Sequence, residues 1–298
     1  MHWPDYRAHQ AFIAPARNRA EVWRLLVGLF LAALAMIAFN QLFFDVMYRL
    51  AGDQRGALYD QIISGTTPLA MYIQLFTFGF LILSVAITLR FLHHRPIRSL
   101  LGPLRPCLSQ FAAVAVMLLA VGFAIFLLPP WDMGAEYLPN IALGVWVMLL
   151  PLSLLAVLVQ VSAEELLFRG YVQQQLAARF RSPFVWMVLP SVLFSLGHYL
   201  PDTAGENALI IAVWAGLFGI LMADLTARSG TLGPAIAVHF INNISAILIV
   251  SLPDNLSGLA LYLTPFSLED TAQLRAWLPV DFGLMVVFWL AARLAIRR

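Results

Sequence analysis

Six polar residues in the second half of this chain have the types and spacing for acid–base chemistry: Glu164, Glu165, Arg169, His198, His239 and Asn243. The first three follow directly on the apolar run "IALGVWVMLLPLSLLAVLVQ". Carboxylates and imidazoles can take a proton from a water molecule, and an amide N–H can hold a developing oxyanion. Spacing sorts the roles. Glu165 and Arg169 stand i,i+4 on one helix face, the arrangement of an ion pair, and are assigned to structure. Glu164 is rotated about 100° from Glu165 and is free to point at the histidines. His239 and Asn243 share a face by the same spacing, as do Phe194 and His198, with Phe194 walling the pocket.

The elements that must carry these residues are membrane helices. The chain is 61% hydrophobic and 11% charged, against about a quarter charged in soluble proteins, so lipid is its solvent. A bilayer core of about 30 Å needs about 20 apolar residues per helix. By that measure spans fall near 25–44, 68–89, 108–128, 141–163, 184–200, 207–226, 231–252 and 279–296. The fold class is therefore all-α, a polytopic membrane bundle of about eight transmembrane helices. Breaks such as "AGDQRGALYD", "RFRSP" and "TARSGTLGP" separate them, and "SGLALYLTPF", too short to cross, is expected at the interface. The chain divides into a cytoplasmic tail (1–22), N-terminal transmembrane helices (23–140), a core carrying the polar motifs (141–252), and an outer segment with the last helix (253–298).

Arginine placement orients the bundle. Only Arg49, Arg55 and Arg275 fall in one set of loops, with acidic residues including Asp132, Glu136 and Asp254; the other fifteen basic residues, all Arg, lie on the opposite side. Both termini are thus expected in the cytoplasm of an integral, multi-pass protein, in a bacterial inner (cell) membrane. A net charge of +2 says nothing about nucleic acid, no basic run suggests it, and none is expected as a partner. The single cysteine, Cys107, excludes an internal disulfide and a Cys-based metal cluster, and is an apolar filler.

Depth ties the polar residues together. Glu164 lies seventeen positions before Arg181 and His198 seventeen after it, so antiparallel helical arms put both ~25 Å from the "RFRSP" turn. His239 and Asn243 come out ~15 and ~21 Å from the next turn on that side. For this, the fourth helix must run on past the lipid through "LLFRGYVQQQLAARF", an exit that Gln173, Gln174, Gln175 and Arg179 suit. His93 and His94 are expected to be solvated in an Arg-rich loop, and Asp224 to pair with Arg228.

"EELLFR" (164–169), "FSLGH" (194–198) and "HFINN" (239–243) resemble the three motifs of the type II CAAX prenyl endopeptidases and their bacterial, Abi-like relatives, the CPBP intramembrane proteases. The resemblance covers roughly 160–250. It implies an eight-span bundle with a polar cavity open to the cytoplasm, and catalytic positions at Glu164, His198, His239 and Asn243. The implied activity is endopeptidase cleavage of a membrane-associated protein or peptide. In one mechanism Glu164 is the general base, His198 positions the water, and His239 and Asn243 donate to the oxyanion. In the other, which the family's usual name of metalloprotease favours, Glu164, His198 and His239 hold a single divalent metal such as zinc; no HExxH motif supports it. Two further classes stay open: a non-catalytic scaffold or immunity protein of the same fold, and a proton-coupled transporter, for which no repeated half-sequence is found.

Overall fold

The structure, a computed structural model, describes residues 6–128, 136–253 and 256–297; Asp132, Asp254 and Arg298 lie outside the described residues. Among the described residues the chain forms α1 (Arg7–Ile13), α2 (Val22–Ala51), α3 (Arg55–Ser64), α4 (Pro68–Thr88), α5 (Leu104–Phe126), α6 (Leu143–Glu165), α7 (Gln174–Arg179), α8 (Pro183–Gly197), α9 (Pro201–Ala204), α10 (Ala208–Ser229), α11 (Gly233–Asn243) and α12 (Thr271–Ala295). π-helical turns extend α4 through His93, join α6 to α7 (Leu166–Gln173) and extend α11 through Ile249.

Six of these helical stretches are long and apolar enough to cross a membrane: Val22–Ser64, Pro68–His93, Leu104–Phe126, Leu143–Arg179, Pro201–Ser229 and Thr271–Ala295. The expected spans at 184–200 and 231–252 are corrected to two shorter apolar helices, Pro183–Gly197 and Gly233–Ile249. At 15 residues α8 reaches only ~22 Å, short of the ~30 Å hydrocarbon core. The cause is local. Pro201 disfavours helical geometry at the residue before it, Leu200 takes φ −119° and ψ 76°, and the helix has ended by His198. The first of these short helices thus terminates next to its functional side chain, His198. Another correction concerns "AGDQRGALYD", read as a loop: it is helical, with a bend where Gly52 takes φ +55°.

Close packing fixes α8 and α11. A Cβ at Gly219 of α10 would meet Ser191 Cβ of α8 at 2.9 Å, so only glycine allows this approach. A Cβ at Gly233 would lie 2.1 Å from the Cys107 carbonyl oxygen, which seats the start of α11 on α5 and accounts for the burial of Cys107. The bundle carries two apolar clusters. One gathers α2, α4 and α6 through Leu75, Val85 and Val161. The other gathers α5, α8, α10 and α11 through Leu118, Phe194, Phe218 and Val238. α6 and α11 meet where these clusters adjoin.

Two further segments are held more firmly than the sequence suggests. The first residues described are no free tail: Phe12 and His9 are buried, His9 packs against Trp186 at 4.5 Å between ring centroids, and Tyr6 donates to Asp224 Oδ1 at 2.8 Å. Arg228 also bonds Asp224, at 2.7 Å, as the spacing predicts, and Trp289 of α12 donates to it at 3.0 Å, so both chain ends gather at one end of the bundle. The segment "SGLALYLTPF" has ordered structure of its own. Its Tyr262–Leu263 forms β3, paired antiparallel with β1 (Leu138–Pro139) and parallel with β2 (Val250–Ser251), and Leu259 and Ala260 are buried. This small sheet is the departure from an all-α fold.

Candidate active site

Glu164 and Glu165 end α6, and the π-helical turns that follow place Arg169 beneath them. Arg169 donates to Glu165 Oε1 at 3.0 Å, both side chains being essentially inaccessible at 1% and 0% exposure. The expected ion pair is therefore present, and it is not isolated. The same oxygen lies 2.8 Å from His239 Nδ1, 74 residues away on α11. A carboxylate can only accept, so the proton on His239 is assigned to Nδ1. That bond turns Nε2 toward Glu164, whose Oε2 stands 3.5 Å away. Glu165 thus orients the imidazole as well as pairing Arg169, a role its sequence spacing does not reveal.

One turn further along, Asn243 Nδ2 donates to Gln160 Oε1 at 2.8 Å. Gln160 and Glu164 are i,i+4 on α6, as His239 and Asn243 are on α11, so two antiparallel helices match their polar pairs rung by rung. Asn243 Oδ1 in turn accepts from Asn242 at 3.2 Å. Gln160 is the site residue that sequence reasoning missed. Its signal was visible: it closes an apolar run in which Ser153 is the only other polar side chain.

His198 is held differently. Its Nδ1 lies 2.9 Å from its own Phe194 carbonyl, which must accept, so neutral His198 presents Nε2 as an acceptor. Its ring packs on Phe194 at 4.4 Å, and Phe194 meets the His239 ring edge-on at 6.1 Å. Phe194 also lies under the Arg169 guanidinium at 4.7 Å. It therefore bridges all three motifs. Phe218, stacked beside Phe194 at 6.3 Å, also meets the His239 ring edge-on at 5.1 Å and was likewise not foreseen. Among the described residues no hydrogen bond joins His198 to Glu164 or His239.

Accessibility divides the set. Glu165, Arg169 and His239 are buried, whereas Glu164, His198 and Asn243 are partly exposed, Glu164 at 12%. The buried members form the support, and the accessible ones present a carboxylate oxygen, an imidazole nitrogen and an amide. Among the described residues no three His, Cys, Asp or Glu side chains are grouped to hold a metal ion. His239 and His198 each spend Nδ1 on a hydrogen bond, to Glu165 and to the Phe194 carbonyl, and keep Nε2 free of those bonds.

A second polar cluster corrects two expectations. Gln173, Gln174 and Gln175 are buried, not solvated at a helix exit. Gln174 donates to Phe12 O at 2.7 Å and Ser99 O at 3.0 Å, and Gln173 to Ala223 O at 3.1 Å. His93 is buried as well, its Nδ1 donating to the Gln175 amide oxygen at 2.8 Å and its Nε2 2.9 Å from the Tyr171 hydroxyl; His94 is exposed as expected. These bonds tie the turn after Arg169 to the N-terminal segment.

The architecture and site define a polytopic helical membrane protein with a carboxylate–imidazole cluster shared between two helices. Residues 145–245 match the family model described as type II CAAX prenyl endopeptidase Rce1-like. It is also similar to the uncharacterized protein YyaK of Bacillus subtilis (strain 168), with 24% identity over 264 aligned residues covering 83% of this chain and 84% of the relative. No solved structure matches the chain.

Proposed function

We propose that the protein is an intramembrane endopeptidase that hydrolyses a peptide bond of a membrane-associated protein or peptide. The observation that carries this reading is His239, clamped by Glu165 Oε1 at 2.8 Å with its other nitrogen 3.5 Å from Glu164. This is the base-and-orienter logic of activated-water and activated-nucleophile sites. With neutral imidazoles, two carboxylates and one guanidinium leave the cluster one negative charge. A proton on His239 Nε2 balances it and leaves Glu164 the carboxylate that the reaction needs.

In the reaction the oxygen of a water attacks the scissile carbonyl carbon while Glu164 accepts the water's proton. His198 Nε2, an acceptor in its neutral tautomer, steadies that water through its second proton. His239 Nε2–H and the Asn243 N–H not given to Gln160 donate to the oxyanion, fixed donors that need no reorganisation. Collapse of the tetrahedral intermediate breaks the C–N bond, and the proton on Glu164 passes to the leaving amine. Gln160 orients Asn243, and Glu165 and Arg169 orient His239. The site opens toward the cytoplasm of a bacterial cell, where both termini lie.

Purified protein incubated with a peptide library and read by mass spectrometry tests this. Cleavage is expected from the wild type and absent from Glu164→Gln, which should fold normally because Glu164 is partly exposed. Cleavage retained by Glu164→Gln would remove the proposed base. A cellular phenotype that survives Glu164→Gln would favour a scaffold or immunity role for the same bundle.

A further inference from the structure

A cavity of about 240 Å³ lies at the end of the bundle where the chain termini gather, lined by Pro15, Asn18, Arg19, His94 and Arg95 among others. Arg95 is only 6% exposed and, among the described residues, has no carboxylate partner. It donates to the Gln174 amide oxygen, to Ser99 Oγ at 3.3 Å and to the Gln175 amide oxygen at 3.1 Å, while its buried Nε has no partner among the described residues. Neutral acceptors solvate a guanidinium without balancing its charge, so a buried arginine of this kind lacks a counter-ion. Burial lowers its pKa to about 10.

Arg19 adds a second positive group. It donates to Leu92 O at 3.3 Å, a carbonyl that Arg24 already serves at 3.1 Å, so Arg19 is not needed to satisfy that atom. Among the described residues no acidic side chain lines the cavity, and the neighbouring Glu21 is committed to Arg24 at 2.9 Å. The lining comes from residues just before α2 and just after the Pro68–His93 stretch. Both positions are at the end of a membrane-crossing helix, the depth of lipid phosphates.

From this geometry we infer that the Arg19–Arg95 cavity is a binding site for a phosphate-bearing anion, supplied by the headgroup of an anionic phospholipid. The anion provides the counter-charge that Arg95 lacks, and Arg19 and His94 close over it from the rim.

The test uses the full chain in detergent and follows its thermal unfolding midpoint against three soluble probes: dihexanoyl phosphatidylglycerol, dihexanoyl phosphatidylcholine and inorganic phosphate. Phosphatidylglycerol is expected to raise the midpoint saturably, and phosphatidylcholine to raise it less. Arg19→Gln and His94→Ala should weaken the apparent phosphatidylglycerol affinity, Arg19→Gln by about tenfold or more, the loss of one charge-assisted hydrogen bond. Arg98→Gln removes an equal charge from an exposed position outside the lining and should leave the affinity unchanged. A shift with inorganic phosphate alone equal to that with phosphatidylglycerol supports the site but makes the free anion its source. Three results overturn the inference: no shift with any anion, a shift that survives Arg19→Gln, or an equal loss in Arg98→Gln.

Discussion

Glu165 and Arg169 offer the sharpest energetic test, because both are buried and each is the other's charge partner. Removing one member of such a pair strands the other charge in a low-dielectric interior and costs roughly 3–5 kcal/mol. Glu165→Gln leaves Arg169 with only the weaker counter-charge of Glu164, and Arg169→Met strands Glu165 with only His239 beside it. The double variant strands neither, and its glutamine oxygen can still accept from His239 Nδ1. Were the sites independent, the double variant would cost roughly 6–10 kcal/mol; the geometry instead predicts a cost near that of one single variant, a coupling of about 3 kcal/mol or more. Equilibrium unfolding in mixed detergent micelles, followed by the fluorescence of the eight tryptophans, measures all four states. Costs that add to within about 0.5 kcal/mol would refute the shared buried network.

The other perturbations reach different parts of the fold. Asn243→Ala should lower kcat by about 10²–10³, as loss of an oxyanion donor does, and Gln160→Leu by roughly tenfold with KM unchanged, since it acts only through Asn243; steady-state kinetics on a cleaved peptide would show both. Burial pulls His9 down to about 4 from an ordinary value of 6.5. The folded state therefore binds fewer protons than the unfolded chain between those values, so stability is full above pH 6.5 and falls by about 3 kcal/mol as pH drops toward 4. His9→Phe should flatten that part of the stability–pH curve. Gly219→Leu should abolish folded, monodisperse protein, because Ser191 Cβ already stands 2.9 Å from where its Cβ would be; size-exclusion chromatography reads the outcome.

Much of this site can be read from local spacing. The Glu165–Arg169 pair and the shared faces of His239 with Asn243 and Phe194 with His198 follow from 3.6 residues per turn, which holds inside any helix. Hydropathy likewise marks where helices run, since burying twenty apolar residues in lipid outweighs local preference. It overestimates α8 and α11, because apolar composition continues where Pro201 and the π-helical turns have already changed the backbone. Gln173, Gln174, Gln175 and His93 were read as solvated because polarity by itself says only that a partner is required. Water is the default partner until a fold supplies another, and here the N-terminal segment does.

Residue types, helix periodicity and the membrane as solvent belong to the sequence alone, because each depends on neighbours within a few positions. The second bond of Glu165, to an imidazole 74 residues away, belongs to the tertiary structure. So do the Gln160–Asn243 rung and the uncompensated charge of Arg95. Those depend on which helices lie side by side and in what register, and packing sets that through contacts such as Gly219 on Ser191 and Gly233 on Cys107 that no local pattern encodes.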